Sequence, residues 1–205
     1  MVKNIVFDIG AVLVGYNPKE YAKKINISLE KVDKAHEVLV HTKGWREYLD
    51  GKIENEEFLK DLIQKNPEYK DEFELLILKE NNKHITYEIK ENTKLLKELS
   101  NNYNIYLLSN ITKDTMDSFK EMYDFEKKIT GATYSYEAHI SKPHKEIYNF
   151  LFSKYNLKPN ECIFIDDKLH NIEVANELGM QGIHYTDHEK LVEELGGKLK
   201  WIYKK

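Results

Sequence analysis

The chain has 205 residues, of which 41% are hydrophobic and 32% are charged, and its formal net charge at pH 7 is −4. This length fits one domain, or one domain with a modest insertion, and the apolar content excludes a globally disordered chain. The mild negative charge argues against a nucleic-acid partner, and no apolar run approaches the roughly 18–20 residues that a bilayer span requires.

The first predicted element is a short buried strand over residues 4–8, which ends in the carboxylate of Asp8. An apolar, β-branched run of this length suits a strand that is covered on both faces. The charge of Asp8 interrupts the apolar N-terminal stretch and argues against a secretory signal peptide. The single cysteine, Cys162, excludes an intramolecular disulfide and a Cys-rich metal site. We therefore expect a cytoplasmic, soluble, reduced protein with no membrane partner.

Helical patterns fill residues 17 to about 88. Ser28 is a candidate N-cap ahead of apolar residues at helical spacing, and Asn55 is a candidate N-cap of a second helix. A third helical pattern begins at Pro67, where the missing N–H of proline costs nothing. Because no strand is predicted in this block, we expect it to be a helical insertion after the first strand.

Strands and helices alternate from residue 91 onward. The predicted strands cover residues 103–108, a short stretch near Ile129, 162–165 and 182–185. The predicted helices cover residues 91–101, 112–122, 144–156, 169–178 and 187–195. Such alternation implies a parallel sheet wound by right-handed crossovers. We therefore predict an α/β fold with a doubly wound parallel-sheet, Rossmann-like core of residues 1–15 and 89–205 and an all-helical cap of residues 16–88.

Polar residues follow three of the predicted strands, at the point where each strand ends. Asp8 follows the first strand, Ser109 and Asn110 follow the second, and Asp166 and Asp167 follow a later one. In an open parallel sheet, ligands bind outside the carboxyl ends of the strands. The paired acids would repel each other unless a cation lies nearby. Carboxylates with a carbonyl and waters form a site for a hard divalent ion, of which Mg²⁺ fits best.

Each of these side chains also has a purely structural interpretation. Asp8 could cap a turn, Ser109 and Asn110 could cap the following helix, and the paired acids could interact with a helix dipole. Lys142, which precedes Pro143, would ordinarily be a solvated surface lysine. The coincidence of these residues at one edge of the sheet favours a functional site.

Four ordered motifs carry a resemblance to the haloacid dehalogenase-like (HAD) superfamily. They are Asp8-Ile9-Gly10-Ala11-Val12, Leu107-Leu108-Ser109-Asn110, Ser141-Lys142-Pro143 and Phe164-Ile165-Asp166-Asp167. Their spacing covers nearly the whole chain, and the insertion after the first motif resembles the small helical cap of that superfamily. The local sequences of residues 142–148 and 167–175 resemble the phosphatase branch that contains bacterial α-glucose-1-phosphatase.

The resemblance implies that Asp8 is a nucleophile that attacks phosphorus and forms an aspartyl-phosphate, which water then hydrolyses. It also implies a Mg²⁺ ion held by Asp8, the backbone carbonyl of Gly10 and Asp167. The ion would supply the charge neutralisation without which a carboxylate cannot approach a phosphate dianion. Asp166 would hold a metal-bound water or Lys142.

The resemblance further implies how the phosphate is bound. Lys142 would place a positive charge on the phosphoryl oxygens. Ser109 and backbone N–H groups near Asn110 would donate hydrogen bonds to the same oxygens as charge develops. The expected partner is a small phosphorylated metabolite, and the sequence leaves the oligomeric state open.

Gly10 departs from the commonest pattern of the superfamily. Most of its phosphatases carry a second Asp at this position, two residues after the nucleophile, as a general acid and base. Such a group typically contributes about 10²- to 10⁴-fold to the rate. The glucose-1-phosphatase-like branch resembles this sequence in having Gly there. A leaving group of lowered pKa needs less protonation, so Gly10 favours sugar-1-phosphates or other activated phosphates.

The segment of residues 44–52 lies between two predicted cap helices. Its two glycines permit a bend over the core site, and Trp45 or Tyr48 could stack on a sugar face. Alternatively, Trp45 packs inside the cap and Arg46, the one arginine of the chain, is solvated. Whether these three side chains touch substrate stays open at the level of sequence.

Three histidines flank the motifs and are candidate substitutes for the missing proton donor. They are His139, His144 and His170. A single histidine on a helix is more often a surface or helix-end residue than an acid or base. The remaining aromatic residues, Trp201 among them, are expected to pack.

The leading hypothesis is a Mg²⁺-dependent phosphomonoesterase. A 2-haloacid dehalogenase would use the same nucleophile on carbon, but it needs no metal and leaves the paired acids unexplained. A phosphomutase would need the proton shuttle that is missing at Gly10. A non-catalytic phosphate-binding relative is disfavoured by the intact Asp8, Lys142 and Asp167, while Gly10 is compatible with it.

Overall fold

A five-stranded parallel sheet organises residues 1–199, the part of the chain that the structure, a computed structural model, describes. The strands are β1 (Asn4–Phe7), β2 (Val14–Tyr16), β3 (Thr86–Glu88), β4 (Asn104–Ser109), β5 (Gly131–Tyr134), β6 (Cys162–Asp166) and β7 (Gln181–His184). The sheet order is β5-β4-β1-β6-β7, and every neighbouring pair is parallel. The predicted α/β, doubly wound class is confirmed.

Helices cover both faces of this sheet and form the block that precedes β3. They are α1 (Pro18–Lys24), α2 (Leu29–His41), α3 (Lys43–Leu49), α4 (Asn55–Lys65), α5 (Lys70–Ile77), α6 (Asn82–Ile85), α7 (Lys90–Leu99), α8 (Lys113–Met122), α9 (Ser135–Ala138), α10 (Lys145–Tyr155), α11 (Leu169–Glu177) and α12 (His188–Lys198). Short 3₁₀ segments cover Pro67–Tyr69, Lys79–Asn81, Phe125–Lys128 and Pro159–Glu161. Within residues 1–199, no helix combines the length and the apolarity that crossing a bilayer requires.

The strand period of two divides the core into two layers. Alternate residues of β1 point to opposite faces, so Ile5 and Phe7 join one apolar cluster while Val6 joins the other. The same alternation runs through β4 and β6, which explains why these strands are continuously apolar in sequence. Because Phe7 pairs with both Leu107 and Ile165, the carboxyl ends of the three strands lie within two residues of one another.

The helical block buries apolar clusters of its own. One cluster comprises Ala35, Leu39, Tyr48, Phe58, Leu62, Phe73 and Ile77, and another comprises Ala22, Val32, Leu75 and Ile85. The predicted N-cap Ser28 accepts a hydrogen bond from the backbone N–H of Lys31 at 3.5 Å. The proposed domain boundaries, a core of 1–15 and 89–205 and a cap of 16–88, stay a prediction.

Several local predictions were wrong. The block holds strand β3, which pairs with β2 in an antiparallel ribbon, and these three-residue strands are too short to leave a pattern. Asn55 is the first residue of α4 and does not cap it, because its amide donates to the hydroxyl of Tyr48 at 2.8 Å. The segment of residues 44–52 is mostly helix α3. The strand expected near Ile129 is β5, which begins at Gly131. The packing expected of Trp201 stays a prediction, because Trp201 lies outside the described residues.

Candidate active site

The carboxyl ends of β1, β4 and β6 bring the predicted site residues to one place. Asp8 follows β1, and its backbone N–H donates to the carbonyl of Ile165 at 2.9 Å. Ser109 ends β4 and Asp166 ends β6, and the register sets Asp8 beside Asp166 and one residue short of Ser109. Lys142 reaches this edge from the loop between α9 and α10. The edge is a switch point of the sheet, because the chain leaves β1 on one side and returns on the other.

The ammonium group of Lys142 connects the two inner acids. Its Nζ lies 3.0 Å from Asp8 Oδ1 and 2.7 Å from Asp166 Oδ2, and it donates to the carbonyl of Leu108 at 2.9 Å. Asn110 holds the backbone of Lys142 by donating to its carbonyl at 2.9 Å and accepting from its N–H at 2.7 Å. The amide of Asn110 therefore positions Lys142, and the contact of Asn110 with substrate stays a prediction.

Asp166 is fully buried and its two carboxylate oxygens are both held. Oδ1 accepts from the backbone N–H of Lys168 at 2.8 Å, and the side-chain amide of Asn171 donates to both oxygens at 2.9 and 3.0 Å. With Lys142 on Oδ2, these contacts fix the orientation of the carboxylate. Asp166 thus holds Lys142 as the sequence analysis expected, and its contact with a metal-bound water stays a prediction.

The electrostatics of the site follow from burying three charged groups together. Burial raises the pKa of Asp8 to about 7, and the positive charge of Lys142 opposes this shift. Burial lowers the pKa of Lys142, but the negative charges of Asp8 and Asp166 outweigh that effect, so the net shift is upward. Lys142 is therefore a permanent cation, and the charged form of Asp8 is favoured by any further cation nearby.

The acids at this edge fit a hard divalent cation. Asp8, Asp166 and Asp167 each offer an oxygen atom, and these atoms lie within 4.8 Å of one another. Lys142 offsets one of the three negative charges, so the ionised cluster keeps a negative balance. Asp167 now pairs with the Nζ of Lys168 at 2.8 Å, but the Lys168 side chain is 60% exposed and such a pair contributes little. Oxygen ligands with surplus negative charge suit Mg²⁺.

Gly10 lines the same cavity as Asp8. Its φ angle lies outside the left-handed region, and a Cβ built on it meets no atom within 4 Å. The next residue, Ala11, is the one in the left-handed region, with a φ of 58°. The site therefore has room for a side chain at position 10, and the absence of an acid there is not a backbone requirement. The role of the Gly10 carbonyl as a metal ligand stays a prediction.

Asn171 is a site residue that the sequence analysis did not single out. Its amide nitrogen donates to both oxygens of Asp166, while Oδ1 is buried without a hydrogen-bond partner among the described residues. Asn171 lies in the first turn of α11, five residues after Asp166, whose carboxylate it contacts, and Asp166 precedes the helix. The contact therefore depends on the turn between β6 and α11, and helical periodicity could not have identified it.

A loop of the helical block docks onto the core near the site. The buried carboxylate of Asp50 accepts a hydrogen bond from the hydroxyl of Ser141, and its backbone carbonyl lies 3.0 Å from Nδ1 of His139. Gly51 has a φ of 66°, and a Cβ there would lie 2.8 Å from the carbonyl oxygen of Tyr136. The sequence predicted the bend at this glycine but not the contacts that fix it.

Trp45, Arg46 and Tyr48, the candidate substrate contacts of the helical block, lie in three different environments. Tyr48 is buried and stacks on Phe58 at a ring-centroid distance of 4.6 Å, so it belongs to the apolar interior of the block. Trp45 lines the cavity that holds Asp8. Arg46 lies beside His144, with Nη1 3.2 Å from Nε2. Stacking of Tyr48 on a substrate is therefore disfavoured, whereas Trp45 is in position for contact.

Two cavities meet at Lys142 and Trp45. The first, of about 460 Å³, contains Asp8 and extends toward the helical block. The second, of about 480 Å³, is basic, and its lining includes Lys43, Arg46, Lys168 and His170. Within the described residues, none of the three histidines predicted as proton donors lines the first cavity. The basic lining attracts phosphate dianions toward the site.

Comparison with known proteins agrees with this geometry. A family model described as haloacid dehalogenase-like hydrolase matches residues 2–179. A sesquiterpene phosphatase from Aspergillus oryzae is 26% identical over 189 residues, which are 90% of this chain and 90% of that protein. A D-ribitol-5-phosphate phosphatase from Bacteroides thetaiotaomicron is 28% identical over 199 residues, covering 88% of this chain and 90% of that protein.

The fold also matches solved structures. A HAD family enzyme from Bacteroides thetaiotaomicron, crystallised with magnesium and inorganic phosphate, superposes with a TM-score of 0.69 at 23% sequence identity. The match covers 89% of this chain and 93% of that one. At this identity the likeness concerns the fold, which agrees with the sheet order and the inserted helices described above.

Proposed function

The chain belongs to the haloacid dehalogenase-like hydrolases, and we propose that it is a Mg²⁺-dependent phosphomonoesterase whose nucleophile is Asp8. Its family and its phosphatase relatives, which match over nearly their whole length, make it a phosphoric monoester hydrolase. The metal, the roles of the individual residues and the substrate are the content of the proposal.

The observation that carries the proposal is the arrangement around Asp8. Its carboxylate is buried beside the ammonium group of Lys142, yet it opens into a cavity that Ser109 and Asp167 also line. A buried acid that faces a cavity, with a fixed cation beside it, suits attack on an anionic phosphate. An ion pair with a purely structural role would need neither the cavity nor the adjacent acids Asp166 and Asp167.

The geometry also suggests which oxygen attacks. Asp8 Oδ1 accepts from the backbone N–H of Ile9 at 2.7 Å and lies 3.0 Å from Lys142 Nζ, which leaves Oδ2 for phosphorus. A bond forms between Oδ2 and phosphorus as the bond to the leaving oxygen breaks, and the leaving oxygen takes a proton from water. Lys142 and the hydroxyl of Ser109 stabilise the charge on the phosphoryl oxygens.

The second step regenerates the enzyme. Water attacks the phosphorus of the aspartyl-phosphate as the bond from phosphorus to Asp8 Oδ2 breaks, and its proton goes to the hydroxide left by the first step. Inorganic phosphate leaves, and the carboxylate of Asp8 is restored. Asp8, Asp167 and the carbonyl of Gly10 would hold Mg²⁺, which when bound supplies charge neutralisation for the approach of a dianion. Asp166 and Asn110 keep Lys142 in place through both steps.

The substrate follows in part from Gly10. Without an acid at this position, we propose that leaving groups of low pKa are favoured, sugar-1-phosphates and aryl phosphates among them. The two phosphatase relatives differ in their alcohols, since one name denotes a hydrocarbon and the other a polyol. Similarity to these two phosphatases therefore does not identify the class of the leaving group.

The test is hydrolysis of p-nitrophenyl phosphate with Mg²⁺ and with EDTA. Turnover should require Mg²⁺, and Asp8→Asn should lower it by at least about 10³-fold while the protein stays folded. Asp61→Asn is the matched control, because Asp61 forms a surface pair with Lys65 and should leave turnover unchanged. Wild-type turnover by folded Asp8→Asn would remove Asp8 from the mechanism.

A further inference from the structure

We propose that the cavity above Asp8 receives an apolar leaving group, so that the preferred substrates are monophosphates of alcohols or phenols with a hydrocarbon or aromatic body. We call the apolar part of the lining of this cavity the apolar chamber, and it comprises Val14, Leu39, Trp45, Leu76, Ile111 and Phe119. The inference rests on the proposed function for the phosphate end of the substrate, and of the two leaving-group classes proposed above it favours the aryl phosphates over the sugar-1-phosphates.

Charge is confined to one end of the cavity. The charged residues of its lining are Asp8, Lys142, Asp167 and Lys168, all of which belong to the sheet edge. The remaining titratable imidazole, that of His36, is contributed by α2, and burial lowers its pKa, so it is neutral at neutral pH. Within this cavity a phosphate therefore has one place to bind, and a leaving group that stays in the cavity extends toward uncharged walls.

Three polar side chains near the chamber already form hydrogen bonds within the protein. Asn82 donates from Nδ2 to the hydroxyl of Ser118 at 3.1 Å, and the hydroxyl of Thr86 donates to the backbone carbonyl of Asn82 at 2.7 Å. The hydroxyl of Thr115 accepts from that of Thr112 at 2.9 Å. A polyol would find few partners beyond the hydroxyl of Tyr16 and the ring of His36, and each hydroxyl left unsatisfied costs roughly 5- to 150-fold in affinity.

The size of the cavity suits such a group. Its volume of about 460 Å³ is some three times the roughly 150 Å³ of an apolar protein cavity that accommodates benzene. The phosphate occupies the charged end, which leaves room for a ring system or a medium-length chain. Trp45 and Phe119 offer aromatic surface from two different helices, α3 of the helical block and α8, which follows β4.

The first experiment varies the apolar area at constant leaving-group acidity. In the presence of Mg²⁺, kcat/KM is measured for phenyl, 4-ethylphenyl and 4-butylphenyl phosphate, whose phenols ionise at nearly the same pH. We expect a rise of about two- to fourfold for each methylene that enters the chamber. The matched pair of n-pentyl phosphate and D-ribitol 5-phosphate, both five-carbon primary phosphates, should favour the pentyl compound. A flat or falling series, or preference for the polyol, overturns the inference.

A binding series keeps this test separate from the proposed function. Ethyl, butyl and hexyl phosphonates cannot be hydrolysed, so their dissociation constants report the chamber even if no phosphate is turned over. We expect the dissociation constant to fall as the chain lengthens, and a constant value overturns the inference. Mg²⁺-dependent turnover with a flat series would reject the chamber alone, whereas no turnover with graded binding would reject the proposed function alone.

A variant locates the effect in the chamber. His36→Glu places a charge in the uncharged lining, and it should lower the ratio of kcat/KM for 4-butylphenyl over phenyl phosphate by at least about fivefold. His36→Gln keeps the position neutral and should retain the ratio. His36 and His41 are both exposed residues of α2, but only His36 lines the cavity, so His41→Glu should also retain the ratio. An equal ratio in His36→Glu and His41→Glu contradicts the assignment.

Discussion

Replacing Lys142 with methionine tests how far the buried ion cluster stabilises the fold. The substitution keeps most of the side-chain volume and removes the ammonium group, whose Nζ lies within 3.0 Å of both Asp8 and Asp166. Asp166 is 0% exposed, so its carboxylate would remain buried beside a second acid with no cation between them. Breaking a buried pair from one side costs about 3–5 kcal/mol, because the remaining charge stays desolvated.

The magnitude converts into a melting temperature. For a chain of this length, 1 kcal/mol corresponds to roughly 2–4 °C, so Lys142→Met should melt about 6–20 °C below the wild type in EDTA. Lys3→Met is the matched control, since Lys3 forms a 2.9 Å pair with Glu161 but is 60% exposed. An exposed pair of this kind is worth at most about 1 kcal/mol.

Two further measurements decide the cause. Asp166→Asn added to Lys142→Met should restore part of the lost stability, because it removes one of the unpaired charges. Mg²⁺ should raise the melting temperature of Lys142→Met by binding the uncompensated acids of the folded state. The reasoning is refuted if Lys142→Met melts within about 2 °C of Lys3→Met in EDTA, a difference that corresponds to less than 1 kcal/mol.

Three other predictions concern the metal, the missing acid and the cysteine. Asp167→Ala should raise the Mg²⁺ concentration for half-maximal activity, and an unchanged Mg²⁺ titration would exclude Asp167 as a ligand. Gly10→Asp should fold with a wild-type melting temperature, since a Cβ there meets nothing within 4 Å, and it should speed hydrolysis of alkyl phosphates more than that of aryl phosphates. An unchanged leaving-group dependence in folded Gly10→Asp would show that another group supplies the proton. Cys162 should resist iodoacetamide at pH 8 and react fully in urea, because burial raises the pKa of its thiol to about 11 and leaves on the order of 0.1% thiolate. Rapid labelling of the native protein would contradict this. Because the folded protein favours the neutral thiol, the thiol's contribution to the free energy of unfolding is complete below its ordinary pKa of 9.0. That contribution is lost as the pH rises through about 11, the pKa of the thiol in the folded protein.

Much of the core could be predicted from the sequence, because local patterns decide it. The apolar runs that become β1, β4 and β6 are short, β-branched and bounded by polar residues, which is the pattern of strands buried on both faces. Since the carboxyl ends of parallel strands meet at one edge, the residues that follow those runs converge there. Asp8, Ser109 and Asp166 were therefore predictable as neighbours before any contact was known.

Other features were decided by tertiary structure, because they depend on contacts between segments far apart in the chain. The ribbon of β2 and β3 joins residues at least 70 positions apart through three-residue strands, which carry too little pattern to be recognised. Tyr48 lies in the interior of the helical block because Phe58 and Asn55 meet it there, and nothing in its own neighbourhood indicates this.

The same limit applies within the site. The sequence placed Lys142 near the acids, but only the folded chain shows that it bridges two of them while Asn110 holds its backbone. The free space at Gly10 and the apolar chamber above Asp8 also depend on how the helical block packs on the sheet. A pattern of hydrophobic and polar residues determines which elements form and which edge carries the charges, whereas the shape of the space between two packed layers depends on every side chain that borders it.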